Sequence, residues 1–570
     1  MTGNPEDPLV CSLTHHKLDG LPEYEALSYT WADNAEPKSV TCDGNILTVQ
    51  HSVCALMKRI RHPSQAILLW IDAICINQSN VLERNAQVGL MGQIYRGAAS
   101  VIIWVGEEDE RTPVLDQLFD LLYAAVDGDV DAVEALPWRL SAHWTDLAYF
   151  LDRPWFTRTW VLQEVCLARQ ARVHCGSFSW SWERLQRIFG FVYNSQDPWA
   201  KLDATGVDRR LQQGVTGFMQ RWAREDLGNR NLSLLRLLEA SRGALATEAV
   251  DKVYGILNLA QDQLDIEVDY EKNAEYVFTD TAIRMLRRGQ VELLSHASDG
   301  VWNNVRGIPS WVPDWTCYDR PAPLPTSSSV PDADLQAPSE ALNTLMAQPQ
   351  VDDTRGLLTI QAISIDTVHV TGVPWPGNRH IKSPFIPLLD IWEIASLGHT
   401  RIQDWHSIFW KLWQLPHERQ YVATGENYTA AFMRTIVADT VALPLSCTSW
   451  EQLYPAFSQR LWRLRREGAP RVYSELIEEV DGLKQYHEAV KTLCYKRTLF
   501  VTEQGLMALG PFFALPFDRI FIIPGVSSPL VLRRTWRGRY RLIGQCYIHG
   551  LDVEHTTHTG RGRLKTIVLE

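Results

Sequence analysis

Three short apolar runs punctuate the start of the chain: residues 24–29 (YEALSY), 66–72 (AILLWID) and 100–105 (SVIIWV). Each ends in polar residues or a glycine and has the length of a strand buried on both faces of a parallel sheet. Between the second and third, Arg84, Val88, Met91, Ile94 or Tyr95, and Ala98 recur at three- and four-residue steps, which predicts an amphipathic helix over residues 81–97. Residues 112–126 and 156–168 read as further helices, and 171–175 (ARVHC) as a fourth strand closed by Gly176. The βαβαβ-like order predicts an α/β fold, a largely parallel sheet flanked by helices.

Helical periodicity dominates from about 180 to 297, where Leu232, Leu235, Leu238 and then Val253, Ile256 and Leu257 lie on apolar faces. The run 309–315 (PSWVPDW) cannot be a regular helix, because each proline biases the residue before it to extended geometry. It leads into a Pro/Ser/Ala/Asp-rich tract at 321–339 that reads as an exposed linker. Alternation over 356–370 predicts strand, 391–486 reads as helical, and 498–549 holds short runs separated by Gly and Pro that predict a small β-barrel. The expected organisation is therefore an α/β domain at 1–180, a helical region packed on it at 181–318 and a linker at 319–355. A small β-barrel follows at 356–382 plus 491–554, interrupted by a helical insertion at 383–490.

The 570 residues carry 55 basic and 67 acidic side chains, a net charge of −12, and 45% are hydrophobic. Such a composition folds rather than staying disordered. The acidic balance argues against nucleic-acid binding, which needs a basic surface, but leaves a small anionic ligand open. Residues 1–10 (MTGNPEDPLV) lack the basic and apolar regions of a secretory signal, and the longest apolar runs fall far short of the roughly 20 residues of a membrane span. A cytoplasmic protein with no membrane span is expected. The ten cysteines include no Cys-x-x-Cys pair, so reduced thiols and no structural metal are expected; His555 and His558 read as a solvated tail. Tryptophan is abundant, with 22 residues against 18 Tyr and 17 Phe.

Common nucleotide, zinc and serine-hydrolase motifs are absent. Polar residues at strand ends are the remaining candidates, since ligands of open α/β sheets bind beyond the carboxyl ends of the strands. Ser28, Tyr29 and Trp31 follow the first strand, and Asp72, Asn77 and Gln78 follow the second. Each could equally be a cap or turn residue. In 153–164 (RPWFTRTWVLQE), Trp160 and Glu164 stand four apart and would share one helix face. An indole there can stack on a planar or cationic ring, and a carboxylate can stabilise an oxocarbenium ion. Alternatively, Glu164 pairs with Arg158 or Arg169 and Trp160 belongs to the core. Glu83 and Arg84 read as helix-start charges, and Arg153 or Arg158 as residues that fix the loop before Trp160.

YEALSYTWAD at 24–33, LWIDAICINQSNVLERNAQVGLMGQIYRGAASVIIWVG at 69–106 and RPWFTRTWVLQEV at 153–165 resemble the three signature blocks of the fungal heterokaryon incompatibility (HET) domain. Residues 251–260 (DKVYGILNLA), 308–316 (IPSWVPDWT) and the run GLMALGP…PLVLR…YIHG at 505–550 resemble segments that accompany HET domains; Ala32 stands where the family usually has Gly. The resemblance implies fungal nonself recognition that ends in programmed cell death. It also implies a distant similarity to TIR domains, carried by Ser28-Tyr29, the Ile71-Asp72 strand end and Trp160-x-x-x-Glu164. By that analogy Glu164 would be catalytic in cleaving the nicotinamide–ribose bond of NAD, Trp160 would stack near the nicotinamide, and Asp72, Ser28 and Tyr29 would line the pocket. NAD would be substrate, with no separate cofactor. The alternative is a non-catalytic signalling module that acts by self-association through its HET domain. Under either reading, sensing would rest with a partner protein.

Overall fold

The computed structural model describes residues 7–31, 36–136, 142–194, 214–224, 232–262, 264–298, 303–318, 320–321, 323–324, 348–371, 420–441, 483–551 and 564–570. Ala32, Cys447, His555, His558, most of the proline-rich tract and most of the helices expected at 383–490 lie outside them. The chain divides into two compact units, Met1–Val277 and Phe278–Glu570.

The first unit contains strands β1 (Val10–Cys11), β2 (Glu25–Ser28), β3 (Lys38–Cys42), β4 (Asn45–Val49), β5 (Leu69–Trp70), β6 (Ser100–Trp104), β7 (Ala171–Cys175) and β8 (Phe178–Ser181). Its first eight helices are α1 (His51–Ile60), α2 (Asp72–Cys75), α3 (Val81–Gly97), α4 (Thr112–Val126), α5 (Val130–Ala135), α6 (Ala142–Leu151), α7 (Val161–Cys166) and α8 (Trp182–Asn194). Five strands form one sheet in the order β5-β2-β6-β7-β8. The first four are parallel and β8 is antiparallel to β7, so the largely parallel sheet expected from the apolar runs is present. Ala26, Leu27 and the whole Val101–Trp104 stretch are buried, as strands covered on both faces must be. Helix α3 is pinned to this sheet by Tyr95, whose hydroxyl donates to Leu27 O at 2.9 Å.

Two features differ from the sequence expectation. A separate three-stranded sheet, β1-β3-β4, precedes α1. Its hairpin turns on Asp43 (φ 49°) and Gly44 (φ 78°), the positive-φ pair that a two-residue hairpin loop demands. The single helix expected at 156–168 is instead a 3-10 turn, Pro154–Thr157, followed by the shorter α7. The break arises because Thr159 N–H is spent on Leu245 O (2.8 Å) and Leu245 N–H on Thr157 O (2.5 Å), leaving the helical ladder unpaired there.

The second unit adds β9 (Gln350–Asp352), β10 (Leu357–Thr371), β11 (Arg497–Thr502), β12 (Met507–Pro511), β13 (Arg519–Ile522), β14 (Leu530–Arg534), β15 (Tyr540–Gln545), β16 (Tyr547–Ile548) and β17 (Leu564–Leu569). They pair in the order β13-β14-β15-β17-β10-β11-β12-β16, with β9 on β10 and β13 pairing back onto β10. Register shifts at Ser364/Asp366 and Val368/Val370 let the fifteen-residue β10 serve β17, β13 and β11 in turn. Strand β17 falls beyond residue 554, where the strand-rich region was expected to end. Among the described residues, no helix is long and apolar enough to cross a membrane.

Candidate functional site

The candidate site is assembled at the carboxyl end of β2, beside the ends of β5 and β6. Ser28, the last residue of β2, is 1% exposed and donates from its hydroxyl to Glu164 Oε2. The same hydroxyl oxygen accepts from the indole N–H of Trp155 at 2.7 Å. Glu164 stands in the first turn of α7 and is 3% exposed. Burial pushes its carboxyl up to about 7; Asp72 pushes the same way, while Arg158 and the Ser28 hydrogen bond pull it back. At neutral pH this group is therefore divided between its acid and its anion.

Asp72 opens α2 at the end of β5 and collects three donors. Tyr29 hydroxyl donates to Oδ1 (2.6 Å), Trp31 indole to Oδ2 (2.9 Å), and Ala73 N–H to Oδ1 (2.7 Å). Burial nevertheless raises its pKa, with Tyr29, Arg158 and Trp31 opposing the rise. The Tyr29 hydroxyl is in turn held well above its ordinary value by burial and by Asp72. Arg158 connects the parts: its guanidinium donates to Tyr29 O and lowers the proton affinity of both Asp72 and Glu164.

The remaining sequence candidates divide. Gln78 reaches the cluster only through the backbone, donating from Nε2 to Asp72 O at 3.1 Å. Asn77 is exposed and spends its side-chain oxygen on Ser79, accepting from N–H at 3.2 Å and hydroxyl at 2.7 Å, as a turn residue does. Trp160 lies one turn before Glu164, whose N–H donates to Trp160 O at 3.3 Å. Its indole, however, hydrogen-bonds Asp251 rather than the Ser28 group. The structure thus gathers Ser28, Tyr29, Trp31, Asp72 and Glu164, and sends Trp160 elsewhere.

Sequence reasoning missed that second acid. Asp251 begins the Asp251–Leu257 helix, is 7% exposed, and accepts from Tyr270 hydroxyl at 2.8 Å. Burial raises it to about 6 against hydrogen bonds from Tyr270 and Trp160 and the charge of Arg158. Gly255 of the same helix permits the approach, since a Cβ there would stand 3.0 Å from Thr159 Cγ2 and 3.5 Å from Trp160 Cδ2. Arg84 lies 3.9 Å over the Tyr270 ring and 3.6 Å from Glu248, closing this side of the cluster. The available signal was DKVYG itself, an acid at a helix start followed by a glycine. A further unexpected feature is Gln163, fully buried beside Glu164 with neither amide atom hydrogen-bonded.

Local packing explains the frame. Asn80 caps α3 by accepting from Glu83 N–H (3.2 Å), and Glu83 Oε1 accepts from Asn77 N–H (3.0 Å), tying the loop between α2 and α3 to the helix start. Arg153 ties its loop to the end of β6 by donating to Val105 O (3.1 Å) and Glu107 O (3.0 Å). Among the described residues, no group of His, Cys, Asp and Glu is arranged to hold a metal ion.

Residues 24–164 match the family described as Heterokaryon incompatibility protein (HET). The chain thus carries a HET-like segment. Over an alignment covering 96% of this chain and 91% of the relative, it is 23% identical to "Heterokaryon incompatibility protein 6, OR allele" of Neurospora crassa. No solved structure matches it significantly. The HET match begins one residue before β2 and ends at Glu164 itself, whereas β7, β8 and the Asp251 helix lie beyond it. The physical support of the HET site is thus longer than the matched segment.

Proposed function

We propose that this chain acts in fungal nonself recognition and that its HET domain cleaves NAD at the nicotinamide–ribose bond, so that loss of NAD triggers cell death. The observation that carries the reading is a buried carboxyl, Glu164, at the carboxyl edge of a parallel sheet, poised at about 7 and held by Ser28. The bond from ribose C1′ to the nicotinamide nitrogen breaks with its electron pair leaving on nicotinamide. Glu164, as carboxylate, stabilises the resulting oxocarbenium ion and takes a proton from the water that adds to C1′. The cationic pyridinium of NAD favours the anion of Glu164, so binding itself prepares the catalytic state. Ser28 orients the carboxylate, while Tyr29, Trp31 and Asp72 line the pocket with Asn77 and Gln78 at its mouth. Trp160 reaches the ligand only by leaving Asp251. The parallel sheet is read as TIR-like, and the pairing of β10 with both β17 and β13 as a small barrel.

One observation favours the second reading, a non-catalytic module acting by self-association. Glu164 is 3% exposed and already bonded, so this conformation admits no substrate to it. Catalysis therefore requires that the Ser28–Glu164–Trp155 group open on activation. Purified full-length protein incubated with NAD under assembly-promoting conditions should release nicotinamide, and Glu164→Gln should abolish release. Equal background from both proteins, with unimpaired killing by Glu164→Gln in cells, would assign the function to the scaffold instead.

A further inference from the structure

We infer that the second unit carries a docking tip for anionic lipid bilayer surfaces, formed by the turn before β13 and the β14–β15 hairpin. The two turns lie side by side: Arg519 is in register with Leu532, and Asp518 accepts two hydrogen bonds from the Arg533 guanidinium at 2.8 Å each. Leu515, Phe517 and Trp536, respectively 50%, 81% and 88% exposed, project from them.

Phe517 decides the matter. Leu515 N–H donates to Asp518 Oδ2 at 2.8 Å and Asp518 N–H to Leu515 O at 3.1 Å, closing a tight turn with Pro516 and Phe517 at its centre. Phe517 has φ 76°, the position where such a turn favours glycine. A large aromatic there gains neither from backbone preference nor from burial, so its presence is explained by something outside the folded unit. Trp536 occupies the tip of the neighbouring hairpin, where Gly538 (φ 75°) supplies the turn.

The cations identify the occupant. Arg534 and Arg537 are exposed and have no carboxylate partner among the described residues; Arg537 instead lies 4.8 Å over the Trp536 ring. In a chain of net charge −12 this local positive tip opposes the overall sign. Apolar side chains on protruding turns have no groove to receive a partner's side chain. They can enter a soft interface, where aromatic rings settle at headgroup depth and arginines reach the phosphates.

The test is co-sedimentation of the full chain with phosphatidylcholine vesicles, with and without phosphatidylserine as a minority component. Binding should require phosphatidylserine and weaken with salt. Arg534→Gln and Arg537→Gln should each weaken partition about fivefold, and Trp536→Ser about tenfold. Phe517→Gly separates binding from folding, because it relieves the turn: its thermal midpoint should rise by about 2–4 °C while vesicle binding falls. No binding, binding indifferent to phosphatidylserine, or full binding by Phe517→Gly and Trp536→Ser would overturn the inference. Retention on immobilised polyglutamate without vesicle binding would also overturn it, reassigning the tip to an acidic protein segment.

Discussion

Replacing Glu164 with glutamine should stabilise the first unit, and by an amount that depends on pH in a way only a buried, proton-retaining acid produces. Burial lifts this carboxyl from its ordinary 4.5 to about 7. An acid that holds its proton more tightly when folded costs nothing below about pH 4.5, where both states are protonated. The cost grows as pH rises toward 7 and is complete above it. At about 1.4 kcal/mol per pH unit, the gap between 4.5 and about 7 amounts to about 3 kcal/mol. Glutamine is neutral throughout, has the same shape, and its carbonyl can accept the Ser28 hydroxyl. Unfolding in urea, with hydrogen exchange at the β2 and α7 amides to isolate this unit, should show almost no gain for Glu164→Gln near about pH 4. By about pH 8 the variant should be about 3 kcal/mol more stable. An awkward fit of the amide NH2 would lower both values equally and leave the slope intact. A difference that is flat in pH, or a variant that loses stability as pH rises, would refute the account of a strained, half-ionised acid.

Further outcomes follow from the same contacts. If NAD is cleaved, kcat/KM should rise with pH through about 7 as Glu164 ionises, and the rise should vanish in Glu164→Gln. Asp251→Ala leaves the half-buried Tyr270 hydroxyl and Trp160 indole without their acceptor and should cost about 1–3 kcal/mol in urea unfolding, with Asp251→Asn recovering part. Gln163→Met removes two unpaired buried amide atoms and should raise stability by about 1 kcal/mol, read as a higher urea midpoint. Gly92→Ala places a Cβ 2.5 Å from that of Asn258 and should destabilise by about 1–3 kcal/mol on the same assay.

What could be read from the sequence was what short-range pattern encodes. Helix α3 and strand β7 fall at the predicted residues because an amphipathic repeat and a closed apolar run each carry their own limits. The Asp43-Gly44 hairpin was also encoded, but its flanks at 38–49 alternate too weakly to stand out, and β17 (LKTIVL) was hidden beyond a polar stretch. Helix α7 was overdrawn because its start is set by a bridge to Leu245, which no local pattern contains. The site shows the same division. Ser28, Asp72 and Glu164 were legible as polar residues at element ends, but their meeting spans 136 residues between Ser28 and Glu164. Choosing Arg158 over Arg169 as the neighbouring cation required the fold, as did pairing Asp251 with Trp160.

The charge balance of the cluster bears on why so costly an arrangement would persist. Asp72, Glu164 and Asp251 all have raised proton affinity from burial, and Arg158 is the cation that acts on each. A core selected for stability alone would replace such acids with apolar side chains, which is often neutral or favourable. Here the unsatisfied Gln163 amide adds to the cost instead of relieving it. Groups that destabilise the closed state contribute stabilisation only if an alternative state uses them. A bound cation at the end of β2 would ionise Glu164 and Asp72 and convert their cost into attraction. Opening of the Ser28–Glu164–Trp155 group would then be favoured by the positive charge that the ligand places beside these acids. ADP-ribose, which keeps the diphosphate but lacks the pyridinium, should therefore stabilise the first unit less than NAD does. That ordering distinguishes an electrostatically primed site from a merely strained core.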